Sequence, residues 1–492
     1  MSLTAALYSA KTGLIATQKQ MAGASDNITN ALTPGYVARE SKLTSLIAGG
    51  AGSGVSASIE RGPTNSYLLR DIRFQASRLA GLDYRTGALS QIAQATGDPS
   101  EERSISALFS KFEASFQALY DSPESPAAQR AVLDAAKALT SGFHAAEGAI
   151  QAEREAADRA IATGVSVAND ALQKIEALND QIMAQQAAGG DIANLLDERD
   201  RQIDRLSEQI GVRTFTRESA EVVITTKEGI TLLDGDARTI GFTPVSTVPP
   251  SVTLGAGLSG LTVDGADITP TGGGSQASLT GRIAGAFQIR DQDLVDYQVQ
   301  IDELARRTID LFQTADASVL AAGPPATGLF TDAGLYHDAG VPADPVAGLA
   351  GRIQVNTLAD PSAGGELRRL RDGLQAPVGS SGDVTQVQAF LNGLGAAQAF
   401  SATPGLSTST TLGGYASEIA SGHLLNSATA KTETDSTALL FETLENRRVS
   451  ETGVNVDEES QRLLELEQAY AANAQVISTV ARMFDDLMRN LG

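Results

Sequence analysis

Three histidines, His144, His337 and His423, are the residues most able to move protons or bind metal near neutral pH. They lie far apart in the sequence, and none has a second His one helical turn on, the spacing that aims two imidazoles at one metal ion. His144 follows Phe143 of an apolar row, which places it on a helix surface or at the edge of a core. A TGGGS run at 271–275 could cradle a phosphate, but it lacks the Lys-Ser/Thr of a P-loop and reads as a loop. Two acid pairs, in LLDGDAR (232–238) and IRDQDL (289–294), could hold a cation. Neither has the spacing of an EF-hand, and no basic or histidine partner is expected beside them. A hairpin turn and a solvated helix face are the expected settings. The chain has no Cys, so thiolate metal sites, disulfides and Cys nucleophiles are excluded. No catalytic residue, cofactor or metal is expected.

Composition narrows the partners. Among 492 residues, 37 Lys+Arg stand against 59 Asp+Glu, a net charge of −22 that repels nucleic acid and anionic membranes. No apolar run approaches the ~18 residues that cross a bilayer, so membrane insertion is not expected. The first residues, MSLTAALYSAKTGLIATQKQ, lack a basic stretch followed by an unbroken apolar one. The chain is therefore expected in the cytoplasm, or to leave by a route that needs no cleaved signal.

With no chemistry to position, the elements themselves carry the information. Leu7, Leu14, Met21 and Ile28 recur every seven residues, with Leu3, Ala10, Thr17, Ala24 and Ala31 as a companion row. That is a heptad seam, and Thr33-Pro34-Gly35 ends it. At the far end Leu463, Leu466, Tyr470, Asn473, Ile477, Val480, Phe484, Leu487 and Leu491 step by threes and fours. Asn455 and Glu458 open that second helix as a capping box would. Two seams of similar length predict pairing with each other and with copies in neighbouring subunits, and helices that are loose until assembly covers them. Thr17 and Asn473, polar within the rows, either fix register or sit at a tolerated edge.

Between the ends, residues 64–211 read as helical. Ile105, Leu108, Phe109, Phe112, Phe116 and Leu119 share one face, and Asp121–Pro126 break it. Val132, Ala136, Leu139, Phe143 and Ile150 mark the next helix, followed by a long one over about 147–187 and another ending at Gly211. Residues 212–280 alternate β-branched and polar residues among Gly and Pro, which predicts short strands. Helix resumes near 280, a mixed segment covers about 322–410 with a helix near 383–399, and helix returns from about 412. The expected fold is mainly α with an inserted β domain: an elongated helical rod whose terminal helices pair as a coiled coil. The expected domains are 1–36 with 450–492, 37–211 with 281–449, and the insertion at 212–280.

SDNITNALTPGY (25–36) resembles the N-terminal signature of the bacterial flagellar axial proteins, the rod, hook and hook-associated family. Asn27, Asn30, Thr33, Gly35 and Tyr36 carry the motif, with Thr29 where Ala is usual. Gly453, Val454 and Asn455 of GVNVDEE, with the QAYAANAQVIST that follows, resemble the hook-associated branch more than the hook subunit. FSKFEASFQALYDSPESPAAQRAVLDAAKALTSGF, IRDQDL…IDELA and RIQVNTLADP are similar to that branch as well, and LFQTADASVL departs from it. The resemblance implies a structural protein joining hook to filament and exported without a cleaved signal by the flagellar type III apparatus. It also implies self-association, contact with the hook protein and the next junction protein, and a cytosolic export chaperone on the C-terminal helix. The alternatives are a hook or rod subunit, or a surface adhesin carried on the β domain.

Overall fold

The computed structural model describes residues 3–48, 51–270, 279–338, 346–403 and 405–491; the TGGGS run lies outside them. The helices in chain order begin with α1 (Leu3–Asn30), α2 (Ser66–Thr96), α3 (Ile105–Asp121), α4 (Pro126–Ala187) and α5 (Ala193–Gln209). They continue with α6 (Arg282–Gln288), α7 (Leu294–Thr314), α8 (Ala317–Ala322), α9 (Leu349–Arg352), α10 (Arg369–Asp372) and α11 (Thr385–Gly395). Two long helices close the chain, α12 (Leu412–Thr452) and α13 (Val456–Leu491). The fold is mainly α with small sheets, as the apolar periodicity predicts.

Two compact units interleave in sequence. One comprises Met1–Ser77, Val167–Thr239 and Thr437–Gly492, and the other Arg78–Ser166 and Ile240–Ser436. The first unit holds α1, α5, α13 and an antiparallel hairpin of β1 (Arg39–Ala48) and β2 (Ala51–Arg61). It also holds a four-stranded antiparallel sheet of β3 (Val212–Thr216), β4 (Val222–Thr226), β5 (Thr231–Asp234) and β6 (Asp236–Ala237). Further strands follow in the second unit, where β7 (Ile240–Gly241) pairs with β8 (Thr262–Val263), which β9 (Ala266–Asp267) flanks on its other side. The strand-rich stretch therefore holds separate small sheets, and the compact units divide it after Thr239.

The second unit is organised by aromatic side chains. The Ser104 hydroxyl caps α3 by accepting from the Ala107 amide, which fixes the rotation of the helix. The buried face of α3 then carries Phe112 and Phe116 against Phe312 of α7, with ring centroids 5.5 and 5.8 Å away. Phe330 and Phe390 complete the cluster, 5.2 and 5.0 Å from Phe312. Each such ring stabilises through buried area and through edge-on geometry. Where a helix near 126–150 and another over 147–187 were expected, α4 runs unbroken for 62 residues. No Pro falls after Pro126 until well past its end, and isolated Gly does not stop a helix whose buried face continues.

The IRDQDL segment is not a solvated face. Residues Ile289–Asp293 form a single π-helical turn, and Arg290 within it is fully buried. Its guanidinium donates to Asp158 at 2.6 Å and to Asp291 at 2.9 Å, while Arg85 donates to Asp293 at 2.7 Å. Asp291 and Asp293 thus have cationic partners, Arg290 of their own turn and Arg85 of α2, while Asp158 of α4 is a second acid on Arg290 that a linear reading could not bring there. They are structural ion pairs, with every charge compensated as a dry interior requires.

Candidate assembly interface

α1 and α13 pack against each other in the first unit, and two contacts fix their direction. A Cβ added at Gly13 would stand 3.1 Å from Asn473 Oδ1, and Asn27 donates to Glu459 at 2.8 Å. Residue numbers rise along one helix as they fall along the other, so the pair is antiparallel. Asn473, polar within the apolar row, faces Gly13 of α1, where a missing side chain leaves room for its amide.

The buried side of α1 is built from small residues: Ala10, Ala16, Thr17, Gly23, Ala24 and Asn27. Small side chains let the β1–β2 hairpin approach closely. Lys19 donates to the Ala57 carbonyl at 3.2 Å, Gln20 donates to the Ser41 hydroxyl at 3.1 Å, and Arg462 of α13 reaches the same hydroxyl at 2.6 Å. The hairpin was not anticipated from the sequence. Its signal was there, two alternating runs separated by Gly49-Gly50.

Asn27 is the centre of the motif. It is fully buried, and its amide nitrogen donates to the Arg39 carbonyl and to Glu459. Its oxygen accepts from the Arg39 amide at 2.7 Å and the Tyr36 hydroxyl at 2.9 Å. All of its hydrogen-bonding capacity is used, tying α1, strand β1 and α13 into one joint. Between Asn27 and Arg39, Gly35 turns the chain with φ of 76°, a conformation that costs a side-chain-bearing residue about 1 kcal/mol or more. Burial pushes the Tyr36 hydroxyl up to about 12 against the opposing charge of Arg39, so it stays a donor. Asn30 donates to the Asp26 carbonyl at 3.0 Å, and Thr33 sits exposed beside it.

An acidic row on α5 holds the other side of this joint. Asp197, Asp200 and Asp204 are spaced three and four apart, so they share one helix face. Asp197 takes Arg39 at 2.8 Å and Arg61 at 2.7 Å. Asp200 takes Arg61 at 2.6 Å and Arg73 at 3.0 Å; Asp204 takes Arg73 at 2.7 Å and Arg448 at 3.3 Å. Burial alone would raise the Asp200 carboxyl, but Arg73 and Arg61 outweigh it and hold it below the usual carboxylate range. The ladder alternates charge, with cations drawn from β1, β2, α2 and α12.

At the other end of the motif, the Gly453 amide closes α12 onto the Val449 carbonyl at 2.8 Å. Val454 is half-buried, and Asn455 caps α13 by accepting from the Asp457 amide at 3.2 Å. The expected seam residues divide by size. On α1, Leu3, Leu7, Leu14, Met21 and Ile28 are only half-buried. On α13, Leu466 and Val480 are buried, Leu463, Tyr470, Asn473, Ile477 and Phe484 half-buried, and Leu487 exposed. The side chain of Leu491 lies outside the described ones.

The other chemical candidates are structural. His423 is stacked on Tyr297 with centroids 3.7 Å apart, and its Nε2 lies 3.2 Å from Gln300. Burial pushes it down to about 3, so it is neutral in the folded chain. His144 bonds the Ile353 carbonyl at 2.8 Å, and His337 is buried. Asp234 sits in the β5–β6 turn and pairs with Arg217 at 2.6 Å. Among the described residues no group of three His, Asp or Glu is arranged to hold a metal, and no helix is long and apolar enough to cross a membrane.

The family model for the helical domain of the flagellar hook-associated protein FlgK matches residues 89–323, and one for the C-terminal part of the basal body rod FlgEFG proteins matches 445–490. The chain is 26% identical to flagellar hook-associated protein 1 of Escherichia coli over 99% of this chain and all of that one. It belongs to the flagellar hook-associated protein 1 family. The protein of the same description in Bacillus subtilis is 22% identical, aligned over 99% of this chain and 98% of its own. That of Salmonella typhimurium is 28% identical over 62% of this chain and 55% of its own. The rod-type model falls on the α12–α13 joint and α13. The helical-domain model covers α3–α7, which singles out the hook-associated family from hook and rod subunits.

Proposed function

We propose that this chain is a structural subunit of the hook–filament junction, and that its α1–α13 pair is an assembly element completed by neighbouring copies. One observation carries the reading. The joint at Asn27 and the α5 ladder are satisfied within the chain, whereas the large apolar row of α1 is left half-covered. A half-covered row of Leu, Met and Ile at heptad spacing gains about 1 kcal/mol per side chain when the rest is covered, roughly half the value for burying one from full exposure, and neighbouring copies supply that cover. The exposed apolar residues of α13 are an association hazard before assembly, which favours a chaperone that holds this helix and export as an unassembled chain. The reading assigns the chain no catalysis.

The test is immunogold labelling of intact flagella with an antibody against residues 212–267. A short labelled band between hook and filament is the expected result. Label along the whole hook supports a hook subunit, and intact flagella with an accessible epitope but no label overturn the proposal.

A further inference from the structure

The chain contains no Cys and five Met, so thioethers are the sulfur groups it offers to an oxidant. Met1 lies outside the described residues. Met21 on α1 and Met183 on α4 are half-buried, whereas Met483 and Met488, both on α13, are 50% and 71% exposed. Reaction of a thioether with peroxide follows its accessibility, so α13 carries the two described methionines that oxidise first.

Their positions on the helix are as selective as their exposure. At about 100° per residue, Met483 stands about 60° to one side of buried Val480 and Met488 about 80° to the other. Phe484 and Leu487 fall between them, and Arg482, Asp485, Asp486 and Arg489 take the opposite side. The last turns of α13 therefore present an apolar arc with a thioether at each margin. A reduced Met suits such an arc, since its side chain is flexible and apolar. A methionine sulfoxide does not, because its S–O oxygen is a strong hydrogen-bond acceptor that loses its water when covered.

We propose that Met483 and Met488 form an oxidation site that controls whether α13 can be covered in an assembly. The oxidant is hydrogen peroxide. A sulfur lone pair attacks one peroxide oxygen, the O–O bond breaks, and the hydroxide released takes the proton from the sulfur-bound oxygen and leaves as water. Sulfur loses two electrons and peroxide gains them, so each thioether consumes one peroxide. With both residues reduced, the arc is apolar from margin to margin. With either oxidised, covering the arc buries an S–O oxygen that has no donor of this chain beside it. The step is reversible: a methionine sulfoxide reductase returns the thioether at the expense of two thiols, with the oxygen again leaving as water. The inference rests on the assembly role proposed above for α13 and adds the chemical condition under which that role operates.

The test follows the full chain by peptide mass spectrometry. In purified protein treated with hydrogen peroxide, Met483 and Met488 should form sulfoxide roughly fivefold faster than Met21 and Met183, which serve as internal controls; equal or slower rates overturn the site. In cells grown with sublethal peroxide, the chain in isolated flagella should carry roughly tenfold less sulfoxide at 483 and 488 than the unassembled chain, the selection expected from burying an unpaired acceptor. Equal sulfoxide in the two pools overturns the control of assembly. Variants check the cause: Met483→Leu with Met488→Leu should incorporate normally and keep doing so under peroxide, and Met483→Gln with Met488→Gln should incorporate poorly without peroxide at an unchanged denaturant midpoint. A Leu variant as peroxide-sensitive as the native chain also overturns the proposal. If these selections fail while label still marks the hook–filament boundary, the oxidation site is wrong and the junction role stands; native chain absent from flagella removes the junction role itself.

Discussion

The phenylalanine core of the second unit and the helix pair of the first use apolar residues in opposite ways. Around Phe312, four other rings sit within 5.8 Å and all are fully buried, so one chain supplies every partner. Along α1, the small residues face inward and the large ones are half-covered. A closed core stabilises a subunit; an open row with its polar joint satisfied specifies how subunits meet. Holding the open row in place falls to Asn27 and the α5 ladder, whose bonds are directional and do not depend on neighbours.

That contrast can be broken at several points. Phe312→Ala is expected to cost about 3–5 kcal/mol, read as a lower denaturant midpoint; a cost under ~1 kcal/mol would show that the ring cluster is not the organising core. Acid comes next. His423 has its folded value pushed below the ordinary 6.5, to about 3, so the unfolded chain binds the proton first as pH falls. Its contribution is present at neutral pH and is lost from about 6.5 downward, on the order of 3 kcal/mol by pH 4. Denaturation at pH 7 and pH 4 should therefore differ, and His423→Gln should shrink the difference.

Smaller in stability, but sharper for the comparison, is Asn27→Ala. It strands the buried Arg39 amide and carbonyl, an expected cost of about 2 kcal/mol, seen as faster hydrogen exchange in α1 and β1 with α3 unaffected. The smallest stability effect is expected from Leu14→Asp, within about 1 kcal/mol because the side chain is half exposed. Yet it should abolish incorporation into flagella, since the charge would be trapped in the shared row. Normal filament growth by that variant would contradict the seam.

Much of this was legible because it is local. Heptad spacing showed both terminal helices, and the apolar face from Ile105 to Leu119 showed α3, since one helix records its own periodicity. The strand texture after Gly211 was legible for the same reason, though not that its sheets fall into separate units. What the linear reading missed are long-range pairings. Asp197 meets Arg39 and Arg61 across more than 130 positions, and nothing in DERDRQ names those partners. The acids of IRDQDL read as solvated for the same reason, since Arg85 and Asp158 lie more than 130 positions away. The register of α1 on α13 also escaped, because a heptad repeat permits several registers and the Gly13–Asn473 fit and the Asn27–Glu459 hydrogen bond together select one.

The most direct test of the central claim is hydrogen exchange of the full chain, free and within isolated flagella. In the free chain the amides of α1 near Leu7 and of α13 beyond Val480 should exchange far faster than those of α3 around Phe112, and in flagella they should become protected. Slow exchange at both helix ends in the free chain, or unchanged fast exchange in flagella, would contradict an interface completed by neighbouring copies.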